Sequence, residues 1–192
     1  MEDNHLEYIR NQYQENFGTP SLALRFNSDA NPVPEAFREP MPEYLDIYIW
    51  YPDDKSDLTT IATCGMSSVA FKDVDYRGEL LLALESKPSK ETEKQLVEFI
   101  ANLCVFPFQQ KQTYKWWFSM SLTGNVPGFE PCNAIVLHPP FTENGWAVIN
   151  TDLFDVQLFN VVPLTEHEHK IKIEQGVGSL QNYLGDRKVN VF

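Results

Sequence analysis

Val156-Gln-Leu-Phe-Asn-Val-Val-Pro163, followed by Thr165-Glu-His-Glu168, is the stretch whose reading decides the fold. The first part is a short run of β-branched and aromatic residues closed by a proline, the composition of a buried strand. The second begins a helix: the Thr165 hydroxyl is placed to accept from the third helical N–H, and Glu168 is placed to reach back to the Thr165 N–H. Glu166 and Glu168 also set negative charge against the positive end of the helix dipole. A strand, a tight corner and a helix in immediate succession predict an α/β (α+β) fold, a mixed β-sheet flanked by helices.

Upstream, the patterning supplies partners for that unit. Residues 3–17 read as a helix capped by Asp3 or Asn4, with Leu6, Ile9, Tyr13 and Phe17 at helical spacing and Gly18 as the stop. Residues 27–42 hold Pro32, Pro34, Pro40 and Pro42 in polar context, which predicts a connecting segment without regular structure. Leu45, Ile47, Ile49 and Tyr51 alternate with Asp46, Tyr48 and Trp50, the clearest strand by pattern. A charged turn at residues 52–57 leads to a second strand over residues 58–64, so the pair reads as a hairpin. Residues 78–85 are almost continuously apolar, as expected of a central strand. Leu96, Ile100, Leu103 and Cys104 share one face of a long helix over residues 89–107, whose first turn carries Glu91 and Glu93. Strands are expected at residues 134–138 and 146–149, and a second short helix at residues 179–184 after Gly176 and Gly178 break or cap the preceding one. The 192 residues are expected to form one domain.

Composition narrows the function classes. With 43% hydrophobic and 13% aromatic residues, the chain has enough apolar side chains to fold. The N-terminus lacks a secretory pattern and no apolar run is long enough to span a bilayer, so a cytoplasmic protein is expected. Cys64, Cys104 and Cys132 are odd in number and widely spaced, as expected of reduced thiols. Twenty-seven acidic against 15 basic residues leave a net charge of −12, which repels nucleic acid and anionic membranes, attracts basic proteins and also favours solubility.

No catalytic or metal-binding constellation stands out. His167 and His169 are two apart in a predicted helix and cannot chelate one ion, and His5 and His138 have no ligand-type neighbour at suitable spacing. Neither metal nor cofactor is expected. Gly65-Met-Ser-Ser-Val69 lacks the second glycine of a nucleophile elbow, and no phosphate-binding glycine loop occurs. A hydrolase would have to use Ser67 or Cys64 with His138 and Asp152. Tyr48, Trp50, Trp116, Trp117 and Trp146 exceed what strict alternation places inside. They suit either protein-binding hot spots or a core.

Read in order, Leu45-Asp-Ile-Tyr-Ile49, Thr63-Cys-Gly-Met-Ser67, Gly78-Glu-Leu-Leu-Leu-Ala-Leu84, Ala134-Ile-Val-Leu-His-Pro139 and Phe159-Asn-Val-Val-Pro-Leu-Thr-Glu-His-Glu168, then Gly176 and Leu184, resemble the suppressor-of-fused domain family in its compact bacterial form. In the animal branch the Gly-Leu-Ser turn precedes an acidic residue, whereas Gly65-Met-Ser67 precedes Ser68. The resemblance implies a non-enzymatic fold that binds another protein, and in bacteria an immunity protein that neutralises a partner toxin. A regulatory adaptor holding an extended peptide is the alternative. Loop position and polarity after the second strand mark Ser67, Ser68, Asp73, Asp75 and Tyr76 as candidate protein contacts.

Overall fold

The computed structural model describes residues 3–27, 41–54, 56–140 and 145–186. Along the chain these form α1 (Asp3–Phe17), β1 (Leu22–Asn27), β2 (Tyr44–Trp50), β3 (Thr59–Cys64), β4 (Arg77–Leu84), α2 (Lys90–Gln109), β5 (Ser119–Ser121), β6 (Ala134–His138), β7 (Val148–Asn150), β8 (Asp155–Leu164), α3 (Glu166–Gln175) and α4 (Val177–Asp186), with a 3-10 turn at Met66–Ser68. The sheet order is β1-β2-β3-β4-β8-β6-β5, with β7 beside β8 off this path. Only β4 and β8 run parallel, so the sheet is mixed.

β8 is the joint of the sheet. Its first half pairs with β4 and β7, and from Asn160 onward it pairs with β6. Pro163 stands inside this strand rather than closing it, where β8 is no longer paired with β4 and a missing N–H is tolerated. Alternation sends Phe159 and Val161 to the face covered by α2, together with Ile47, Ile61, Leu80, Leu82, Ile135 and Leu137. The opposite face is shared. α1 covers Val156 and Leu158 with Ala62, Cys64 and Leu81, while α3 and α4 cover Val162 and Leu164 with Ala134 and Val136.

Local chemistry sets each helix. In α1, Leu6, Ile9 and Tyr13 are buried, and the Tyr13 hydroxyl donates to the Thr63 carbonyl at 2.9 Å. The indole N–H of Trp50 donates to the carbonyl of Gly18, where the helix stops, at 2.9 Å. Ser89 caps α2 by accepting from the Thr92 N–H. α2 runs two residues beyond Pro107, whose ring removes the N–H that would have bonded Leu103. The buried Tyr114 hydroxyl replaces it, donating to the Leu103 carbonyl at 2.9 Å. α3 carries both halves of the capping box expected at Thr165 and Glu168, and ends at Gly176 with φ 91°. α4 already starts at Val177, so Gly178 lies inside a helix and does not break one.

Two strands were not expected from sequence. β1 pairs with residues 44–49 of β2, and the three-residue β5 pairs with β6. Of the proline-rich connection, residues 28–40 lie outside the described residues. The aromatics read as either hot spots or core take part in packing: Trp50 is buried, half-buried Tyr48 and Trp146, with Phe17, pack edge-on or tilted around Tyr13 and Trp50, and half-buried Trp116 and Trp117 pack against the other two clusters. Among the described residues no helix is long and apolar enough to cross a membrane.

Asp46, on the α1 side of β2, ties three elements together. Its carboxylate accepts from Arg25 Nε at 2.6 Å and Nη2 at 2.8 Å on β1, and from Arg10 Nη2 at 2.9 Å on α1. Burial alone would raise the Asp46 pKa, but the hydrogen bonds and charge of Arg25, then Arg10, outweigh it and hold the carboxyl below its ordinary value. A depressed carboxyl contributes stability that is present above the unfolded pKa and lost as the pH falls through the folded one. Asp46→Asn should therefore destabilise the protein by about 1–3 kcal/mol at neutral pH, with the deficit shrinking in acid below the ordinary aspartate range. Urea denaturation of both proteins across pH 2–7 checks this, and a deficit independent of pH would contradict it.

Candidate functional site

The turn that ends β3 is built around a buried carboxylate. Glu79, fully shut from solvent on β4, accepts from the Thr63 hydroxyl at 2.6 Å, the Gly65 N–H at 2.8 Å, the Ser67 N–H at 3.0 Å and the Ser67 hydroxyl at 2.6 Å. Burial pushes the Glu79 pKa up, and these four donors, led by the Ser67 hydroxyl, pull against it. Two residues earlier on β4, Arg77 Nη1 donates to the carbonyls of Ser67 and Ser68 at 2.8 and 2.7 Å. One strand thus collects the donors of the turn with an acid and its acceptors with a base. The Arg77 guanidinium also lies 3.9 Å from the centre of the Phe154 ring, just before β8.

Gly65 makes the reversal possible. Its φ of 137° is a conformation that side-chain-bearing residues rarely adopt, and a Cβ there would stand 2.5 Å from the Tyr44 carbonyl oxygen. The backbone of the turn therefore lies directly on the start of β2. A cavity of about 200 Å³ opens beside it, lined by His5, Leu6, Met41, Glu43, Tyr44, Ser68 and Val69. A second, of about 340 Å³, lies against the same helix end and is lined by Asn4, His5, Tyr8, Asn150, Thr151, Asp152 and Leu153. His5 belongs to both, and its ring packs edge-on against Phe154 at 5.3 Å.

The five candidate contacts after β3 fall into different environments. Ser67 is fully buried and its hydroxyl binds Glu79, so it shapes the turn and cannot touch a partner. Ser68 is half-buried, donates to the Gly65 carbonyl and lines the smaller cavity. Phe71, buried among Tyr76, Phe108, Tyr114 and Phe159, and Tyr76, whose hydroxyl donates to the Tyr114 carbonyl at 2.8 Å, anchor the following loop. Asp73 and Asp75 are exposed at its tip, Asp73 in the left-handed region at φ 62°.

The residues a hydrolase would need do not meet. Cys64 is buried, its thiol pKa pushed well up by burial and by Glu79, and Ser67 is held by Glu79. His138 sits on β6, separated from β3 by β4 and β8, or about 14 Å at ordinary strand spacing. Its ring packs 4.4 Å from that of Trp117. His169 is half-buried, its ring between the hydroxyls of Ser119 and Ser121 on β5. Among the described residues no three His, Cys, Asp or Glu side chains converge in a metal-like group.

What sequence reasoning missed is the exposed apolar surface along α1. Tyr8 is 44% and Leu153 74% exposed, and both line the larger cavity. Tyr8 lies off the Leu6–Ile9–Tyr13 stripe, and a large apolar residue off the buried stripe is the signal that marks it.

Comparison with known proteins adds a lineage to this geometry. The family profile described as Suppressor of fused protein (SUFU) matches residues 41–192. A suppressor of fused homologue from Neisseria gonorrhoeae has the same fold with a TM-score of 0.68 at 10% identity, covering 97% of this chain and 92% of that one. The Sufu–Fu complex matches with a TM-score of 0.61 at 12% identity over 95% of this chain and 82% of the matched one. Drosophila Suppressor of Fused matches at 0.59 and 13% identity over 88% of this chain, which spans 42% of the fly protein. A search of curated protein sequences returns no match.

Removing the acid at the centre of the turn leaves four donors without an acceptor, so Glu79→Ala should cost about 3–5 kcal/mol. Gly65→Ala should cost about 2–4 kcal/mol through backbone strain and the clash with Tyr44. Chemical denaturation measures both, and a loss below 1 kcal/mol for either, a small effect on the usual scale, would contradict the structural role of the turn.

Proposed function

The chain belongs to the suppressor of fused family, and from that membership we propose that it is a non-catalytic, cytoplasmic protein-binding domain that neutralises a partner by covering its working surface. The observation that carries this reading is the pair of exposed apolar side chains, Tyr8 and Leu153, at the mouth of a cavity along α1. Apolar anchors of this kind, set beside pockets, are what protein interfaces bury at their centres. Acidic groups stand among the residues around them: Glu43 lines the smaller cavity and Asp152 the larger.

The partner suited to such a surface is a folded basic protein. A net charge of −12 speeds encounter with a basic surface and disfavours acidic competitors. A basic toxin domain blocked by occlusion fits these demands, which makes the chain an immunity protein. The Sufu–Fu complex supports binding of another protein as the mode of action. The second reading, an adaptor holding an extended peptide, is favoured by one feature: among the described residues β1 pairs only with β2, and β5 only with β6.

Co-expression with a basic toxin encoded beside this chain should restore growth and yield a stable complex. Leu153→Asp combined with Tyr8→Ala should weaken that complex at least about 30-fold, the effect of losing a binding hot spot, while leaving the thermal midpoint unchanged because both side chains are exposed. Failure to restore growth, or a complex indifferent to both substitutions, would overturn the reading. Binding of a short peptide in place of the folded toxin would favour the adaptor.

A further inference from the structure

One wall of the larger cavity along α1 is the hairpin between β7 and β8. The Thr151 hydroxyl donates to the Phe154 carbonyl at 2.6 Å and accepts from the Leu153 and Phe154 N–H groups at 3.3 and 3.1 Å, which closes the turn on itself. Across the base of the hairpin, Asn150 Nδ2 donates to the Asp155 carboxylate at 2.8 Å. The Arg77 guanidinium lies 3.9 Å from the centre of the Phe154 ring and the His5 ring 5.3 Å from it, so the turn is anchored to both β4 and α1. Asp152 and Leu153 are thus the exposed tip of a braced turn, and they line the cavity together with Tyr8 of α1.

The charge of this cavity limits what can fill it. Among the described residues Asp152 forms no salt bridge. The amino end of α1, which contributes Asn4 and His5 to the lining, carries roughly half a positive charge, too little to cancel the full charge of Asp152. The hairpin adds acceptors. Asn150 has its Oδ1 left to accept, because its amide nitrogen is used on Asp155, and Thr151 has given its one hydroxyl hydrogen to Phe154. A partner that covers Tyr8 and Leu153 must also cover Asp152, which adjoins Leu153 at the tip. An apolar group placed there would strip water from the carboxylate and return no hydrogen bond, a heavy cost for a charge.

We propose that this cavity receives an arginine side chain of the partner protein, an inference that rests on the protein-binding reading and names its central anchor. The guanidinium pairs with Asp152 and donates to Asn150 Oδ1, Tyr8 offers it a ring face, and its aliphatic stem covers Leu153. Arginine suits the place better than lysine. Its five donors are spread over a plane that lies on an aromatic ring and gives up water readily, whereas an ammonium group is compact and strongly hydrated. The volume of about 340 Å³ is at the small end for a ligand pocket and suits one long side chain. Because the hairpin is braced before binding, little ordering remains when the partner arrives.

The test is an NMR titration of the full chain with N-acetyl-arginine amide, its neutral isostere N-acetyl-citrulline amide and N-acetyl-lysine amide at low, matched ionic strength. Shifts are read at the Asp152 and Leu153 amides and the Tyr8 ring. The arginine compound should saturate them with a dissociation constant on the order of 1 mM, at least about tenfold tighter than citrulline and about threefold tighter than lysine. Asp152→Asn should weaken arginine binding at least about tenfold, and Tyr8→Leu, which keeps apolar bulk but removes the ring, about threefold. Neither should move the thermal midpoint, because both side chains are exposed. Absence of saturation, citrulline or lysine binding as tight as arginine, or unchanged affinity in Asp152→Asn would overturn the proposal. No toxin enters this titration, so its failure is distinct from failure of the co-expression. A toxin complex that depends on Tyr8 and Leu153 but not on Asp152 would overturn the arginine anchor while upholding the protein-binding reading.

Discussion

A carboxylate fully removed from water is tolerable only where its oxygens are met by donors, and at Glu79 the polypeptide meets them with the turn that leaves β3. The constraint runs both ways. Without the acid, the Gly65 and Ser67 amides would be buried with nothing to bond, and without the turn the acid would be an unpaired buried charge. Arg77 completes the arrangement by holding the outgoing carbonyls, and through its contact with Phe154 it joins β4 to the approach to β8. α1 is tied to the same place by the bond from Tyr13 to the Thr63 carbonyl. The smaller cavity along α1 takes its shape from this junction of turn, helix and β2.

The separation of structure and surface follows from it. Polar groups that might be taken for chemistry, Ser67, Thr63 and Cys64, are enclosed and engaged with other parts of the chain. Groups left at the surface along α1 are of the kind that recognise another macromolecule: an aromatic, an aliphatic, amides and acids. On the protein-binding reading proposed above, specificity depends on how rigidly the turn and α1 hold that surface.

Much of the architecture was legible because it rests on local patterns. The Thr165–Glu168 box, the alternation of residues 45–51 and the stripe of α1 each depend on residues within a turn or two of one another, and each stands in the structure as read. What escaped was set by distant partners. Asp46 reads as an outward-facing polar residue, yet two arginines from other elements cover it. Glu79 reads as a stray acid in an apolar run, and its meaning lies in a turn 14 residues upstream. β5 is three residues long, too short to show a period. Asp73 and Asp75 were legible as exposed loop acids, whereas the burial of Ser67 depends on Glu79 and could not be seen from its neighbours.

Native-state hydrogen exchange at the Gly65 and Ser67 amides tests the central claim most directly. If Glu79 clamps the turn as part of the core, both amides exchange only through global unfolding, with the same free energy as core amides of β8 such as Leu158. Exchange by local opening, at the free energy of the exposed Asp73 loop, would show that the turn is not held by the buried acid and would contradict the account.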